Sequence, residues 1–178
     1  MTTSKIALWA INMLGGIAVI GSYVLGIQAH PGQGDRLWGG VPEGIRGIYT
    51  VSMLLSAVGY LLFFYHIALR MDPAKVNLPW SVPFGSFAVP FLLILVPSAL
   101  WMSLTFSYLE SPSIGSWIAV RVVLGLAALG SLVMLVMLAG LKSWSPDQFW
   151  WPSTIGAGIF AFHLLCLDAL LWPVLFRS

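Results

Sequence analysis

Apolar residues in this chain run almost unbroken for twenty or more positions at a time, and short polar clusters separate the runs. A helix needs about 20 apolar residues to cross a bilayer. Five runs reach that length: 6–29, 45–69, 81–108, 116–141 and 153–175. The connections carry the turn-forming residues: His30-Pro31-Gly32-Gln33-Gly34 with Gly39-Gly40, then Asp72-Pro73, Ser111-Pro112-Ser113 and Ser145-Pro146-Asp147. Only a helix or a closed barrel satisfies its own backbone in lipid, and these uninterrupted runs suit helices. The pattern predicts an all-α integral membrane protein, one domain over residues 1–178, built as a single five-transmembrane-helix bundle with short loops.

The tryptophans agree with five crossings. Trp9, Trp80, Trp144, Trp150 and Trp151 fall at run ends on the side of the N-terminus, and Trp38, Trp117 and Trp172 at the opposite ends. That is the aromatic belt of a membrane protein, with Trp101 set deeper in the third run. Lys5, Arg70, Lys75 and Lys142 lie on the N-terminal side and Arg36, Arg46 and Arg177 on the other. The excess on the N-terminal side predicts a cytoplasmic N-terminus and a C-terminus on the opposite side. The first run is longer than a signal-peptide core and lacks a small-x-small cleavage site, so it reads as a retained helix.

Composition sharpens the assignment. Charged residues make up 8% of the chain and apolar ones 59%, against a soluble charged fraction of about 25%. So few charges cannot cover a water-facing surface, and the bilayer is the expected partner. A formal charge of +2 with no basic run excludes nucleic acid. The single cysteine, Cys166, forms no internal disulfide.

Two charges stand inside apolar runs. Arg121 follows Trp117 by four residues and Asp168 precedes Trp172 by four, which puts each about 6 Å inside the interface. A charge at the centre of a membrane helix costs at least about 2.5–3.5 kcal/mol. If the last two helices are antiparallel neighbours, Arg121 and Asp168 are expected to pair. Gly125 and Ala128 share the face of Arg121, and Ala157 and Ala161 that of Asp168. Small residues let membrane helices approach closely. Ala18, Ser22 and Gly26 in the first run and Ser52 and Ser56 in the second make similar stripes. Pro83, Pro90 and Pro97 recur every seven residues, on one face of the third run, and predict a helix kinked at each.

Polar side chains gather at the end away from the N-terminus: Tyr23, Gln28, His30, Glu43, Arg46, Tyr49, Trp101, Ser103, Thr105, Tyr108, Glu110, Arg121 and Asp168. This predicts an aromatic pocket with a few convergent polar groups, the common form of a small-molecule site. The alternative is a polar cap over one structural ion pair. The candidate ligand-binding residues are Arg121, Asp168, Arg46, Glu43, Tyr49, Trp101, Tyr108, Glu110 and His163. His163 lies mid-run, five residues before Asp168. In an α-helix the two project about 140° apart and do not share a face. His30, His66 and His163 with one cysteine make no metal-ligand spacing, and no nucleophile elbow, phosphate loop or zinc-protease motif is present.

Three functions follow. The first is binding or translocation of a small amphipathic molecule, with Arg121 or Arg46 meeting an anionic group and Asp168 orienting the arginine. The second is an accessory subunit whose small-residue stripes face partner membrane subunits or further copies of the chain. The third is a membrane-embedded enzyme acting on a lipid-like substrate, with Asp168, Glu110 or Glu43 as acid or base and His163 as proton carrier. In helix count and tryptophan richness the chain resembles the small five-helix translocator proteins. That resemblance rests on no motif and gives no residue a role.

Overall fold

The structure is a computed structural model describing residues 2–76, 78–141 and 148–176. Lys142, Trp144, the Ser145-Pro146-Asp147 turn and Arg177 lie outside the described residues. The described residues are helical and contain no strand. Five helices are long and apolar enough to cross a membrane.

Helix α1 spans Thr3–Ala29. A short 3-10 helix, Gly34–Trp38, interrupts the first loop. Helix α2 covers Glu43–Arg70, its last turn, His66–Arg70, being a π-helix. Helix α3 spans Ala88–Glu110 and follows two 3-10 turns, Pro79–Ser81 and Phe84–Phe87. Helix α4 spans Ile114–Gly140. Helix α5 occupies Trp150–Leu175 in three stretches: an α-helix Trp150–Phe162, a π-helix His163–Leu171 and a last α-turn Trp172–Leu175.

Local chemistry sets several of these ends. Ser113 caps α4: its hydroxyl accepts from the Ser116 N–H at 3.0 Å, and the Ser116 hydroxyl accepts from the Ser113 N–H at 3.2 Å. This reciprocal capping box satisfies two donors that the first turn leaves open. At the end of α1 the His30 ring Nδ1 sits 2.8 Å from the Gly26 carbonyl, one of the acceptors a helix terminus orphans.

The three prolines play different parts from those expected. Pro83 is extended (φ −70°, ψ 156°) and precedes the turn Phe84–Phe87, outside α3. Pro90 is in the first turn of α3, where a missing N–H costs no intrahelical bond. Pro97 alone is interior to the helix.

In the bundle, α3 packs between α1 and α4, and α5 between α4 and α2. The ring closes between α1 and α2 at the end holding the N-terminus. There the Tyr60 hydroxyl donates to Asn12 Oδ1, and Trp9 meets Phe64 edge-on at 5.0 Å. Below that junction lies the larger core, with Leu8, Phe63, Phe87, Phe91, Met134 and Leu138 buried. A smaller aromatic cluster around Tyr49, Val120, Leu124 and Trp172 occupies the other half. The outer faces are apolar: Leu14 is 70% exposed, Ile17 69% and Val174 78%.

At one crossing the backbone of α2 lies directly against that of α5. A Cβ at Gly59 would stand 2.4 Å from the Gly156 carbonyl oxygen, and one at Gly156 would stand 2.9 Å from that of Gly59. Backbone therefore meets backbone, an approach that only glycine permits here. Gly125 of α4, by contrast, faces open space. We expect Gly59→Ala to force the two helices apart and cost about 1–3 kcal/mol. Thermal unfolding of the protein in lipid nanodiscs should show a clear fall in Tm for Gly59→Ala and none for Gly125→Ala.

Candidate functional site

Above the α1–α2 junction the helices diverge around a cavity of about 280 Å³, to which all five contribute side chains. Tyr23 comes from α1, Tyr49 from α2, Trp101 and Pro97 from α3, Ala127 and Leu124 from α4, and His163, Asp168 and Trp172 from α5. Trp38 of the first loop completes the wall. The rings pack in two groups. Tyr23 lies 5.9 Å from Trp101, Trp101 is 5.9 Å from Trp172, and Trp38 meets Tyr49 edge-on at 6.2 Å.

The π-helix of α5 explains the polar part of the wall. Its hydrogen bonds run from residue i to i+5, so residues five apart come nearly above one another. His163 and Asp168 are five apart, and the expectation that they cannot share a face fails for that reason. His163 Nε2 stands 3.5 Å from Asp168 Oδ2, longer than a charge-assisted hydrogen bond of about 2.7–2.9 Å. The other ring nitrogen, Nδ1, lies 2.9 Å from the Ser52 hydroxyl of α2. With the Nε2 proton turned to the carboxyl, Nδ1 accepts from Ser52. The ring is thus held from one side by α2 and holds Asp168 on the other.

The same stretch ties down its neighbours. The Leu167 carbonyl accepts the Trp172 backbone N–H five residues on and also the Tyr49 hydroxyl at 3.1 Å. The Trp172 indole donates to the Leu37 carbonyl at 2.9 Å, which fixes the first loop over the cavity. Trp101 Nε1 in the wall is buried and finds no hydrogen-bond partner among the described residues, and the Tyr23 and Ser98 hydroxyls also line the cavity without one. Asp168 makes no hydrogen bond or ion pair with any described residue beyond its contact with His163.

Of the sequence-derived candidates, the structure brings Tyr49, Trp101, His163 and Asp168 to the cavity. The others lie elsewhere. Arg121 is exposed on α4, and no described acidic residue lies within ion-pair distance of it. The expected Arg121–Asp168 pair is absent, because the π-turn directs Asp168 to His163. Arg46 donates to the Val41 carbonyl at 3.2 Å, lies 3.9 Å from Asp35 and sits over the Trp38 ring at 5.6 Å. Glu43 is exposed in the first turn of α2. Tyr108 packs against Trp117 at 5.1 Å. Glu110 meets His30 Nε2 at 3.0 Å, and that ring is stacked on Phe106 at 3.8 Å. Trp38, Ser52 and Trp172 were not among the candidates. Trp38 and Trp172 look like interface anchors in sequence, and Ser52 like a packing residue.

No protein-family model, curated protein or solved structure matches the chain.

Replacing His163 with Phe removes the only described partner of Asp168 and strands the Ser52 hydroxyl. Replacing Asp168 with Asn keeps a side chain able to hydrogen-bond the ring. We expect His163→Phe to destabilise the fold more than Asp168→Asn, and Tyr49→Phe to cost about 0.5–1.5 kcal/mol, as one hydrogen bond does. Equilibrium unfolding of the three variants in mixed micelles checks the order.

Proposed function

We propose that the chain is a multi-pass membrane protein that binds or translocates a small amphipathic or hydrophobic molecule in the cavity at the end of the bundle away from the N-terminus. The observation that carries this reading is the form of the cavity. Aromatic rings wall it, five helices meet around it, and a buried donor and a half-paired carboxyl remain at its surface. Polar groups left unmet in an apolar enclosure are costly unless something bound supplies their partners. Apolar exteriors on five long helices support insertion into the bilayer.

The cavity edge supports entry from the membrane. Ile27 of α1 and Met53 of α2 both line the cavity and are 54% and 48% exposed. They frame a lateral opening between helices that join only at their other ends. Pro97 lines the cavity and has no N–H to donate to the residue four before it, which leaves α3 one backbone hydrogen bond short at the level of the cavity. A cytoplasmic N-terminus fits the excess of basic residues on that side.

Native mass spectrometry of protein extracted gently from its own membrane tests the binding reading. We expect a bound small molecule that is lost in Ala127→Phe, where a ring takes the space of the ligand and the fold stays intact by circular dichroism. A ligand-free mass in the unaltered chain would overturn the reading. Sidedness has its own check. In a Cys166→Ser background, Asp35→Cys should react with an impermeant maleimide from outside the cell, and Ala74→Cys only after the membrane is opened.

A further inference from the structure

We infer that the cavity selects amphiphiles carrying a cationic nitrogen, a protonated or quaternary amine, over acids and over uncharged molecules of the same shape. The inference rests on the reading that the cavity is the ligand site, and it reverses the ligand charge that the sequence suggests. The arginines that would receive an acid are both elsewhere. Arg121 is exposed on the outside of α4, and Arg46 is spent on the Val41 carbonyl, Asp35 and the Trp38 ring. What remains in the wall is one carboxyl among aromatic rings.

Each part of that wall favours positive charge. Asp168 has one oxygen toward His163 at a loose 3.5 Å, and its side chain is 28% exposed, so it can receive a second partner. Tyr23, Tyr49, Trp101 and Trp172 present π-faces or edges around it, and ring faces attract cations most strongly where water is excluded. An aromatic enclosure closed by a carboxylate is the arrangement that recognises alkylammonium groups. His163 does not oppose this, because Ser52 can donate to Nδ1 and leave the ring neutral, its single proton staying on Nε2 and directed at Asp168. The charge of Arg46 is offset by Asp35 at 3.9 Å. An acid would find neutral donors, the Trp101 N–H and the Tyr23 and Ser98 hydroxyls, but no cationic side chain in the wall, and it would stand beside Asp168. The volume of about 280 Å³ fits a compact ligand with one apolar body and one charged head.

Three probes on one skeleton decide the matter: 4-phenylbutyltrimethylammonium, its carbon isostere with a tert-butyl group in place of trimethylammonium, and 4-phenylbutyrate. Binding to the full chain in nanodiscs is read by calorimetry, with empty nanodiscs as the blank for partition into lipid. We expect the cation to bind about tenfold or more tighter than the tert-butyl compound, the acid to bind weakest, and the preference for the cation to vanish in Asp168→Asn. If the two isosteres bind equally to the unaltered protein, the charge inference falls while the pocket reading stands. If none of the three binds above the blank, pocket and inference fall together. Should Asp168→Asn not fold, the ratio between the isosteres in the unaltered chain decides alone.

Discussion

The widened turn of α5 governs the interior of this protein. A span that was α-helical throughout would send Asp168 and His163 to different faces, and one of them would need a partner elsewhere in the bundle. Over His163–Leu171 the hydrogen bonds instead close over five residues. The carboxyl then lies beside the imidazole, and the imidazole beside Ser52. The Leu167 carbonyl is shared between the backbone and the Tyr49 hydroxyl. Three otherwise costly polar groups become a linked set joining α5 to α2.

Packing and opening divide the bundle into two halves. Toward the N-terminal end the helices are drawn together by phenylalanine packing, the Asn12–Tyr60 bond and the backbone contact of Gly59 with Gly156. Toward the other end large rings hold the helices apart and meet one another edge-on or tilted around a space. A buried polar atom is costly unless it finds a partner in the protein or in something bound. Most do. Trp101 Nε1 and the outer oxygen of Asp168 border the cavity, and they give it its chemistry.

Much of the architecture is legible from residue order. Five runs of apolar residues long enough to cross a bilayer correspond to five long helices, because run length and turn residues both act locally. The gathering of Tyr49, Trp101, His163 and Asp168 is legible in part, since depth along a helix can be counted from the nearest tryptophan. Which side chains face each other is another matter. Pairing Arg121 with Asp168 assumes 3.6 residues per turn, and one wide turn voids that assumption. No local feature of His163–Leu171 marks it as a π-helix. The same holds for Pro83 and Pro90, whose regular spacing with Pro97 suggests one stripe although only Pro97 is interior. Gly59 and Gly156 escape notice in sequence because their meaning lies in the approach of two backbones.

The arrangement of α5 is most directly tested in lipid. Solid-state NMR of the chain in bilayers, with ¹⁵N in the histidine rings and ¹³C in the aspartate carboxyls, reads the distance between His163 and Asp168. The account predicts a nitrogen–carbon correlation between these two side chains, as the 3.5 Å separation of His163 Nε2 from Asp168 Oδ2 requires. Absence of that correlation, with Asp168 instead in contact with a guanidinium of Arg121, would contradict it, and with it the placement of the carboxyl in the cavity.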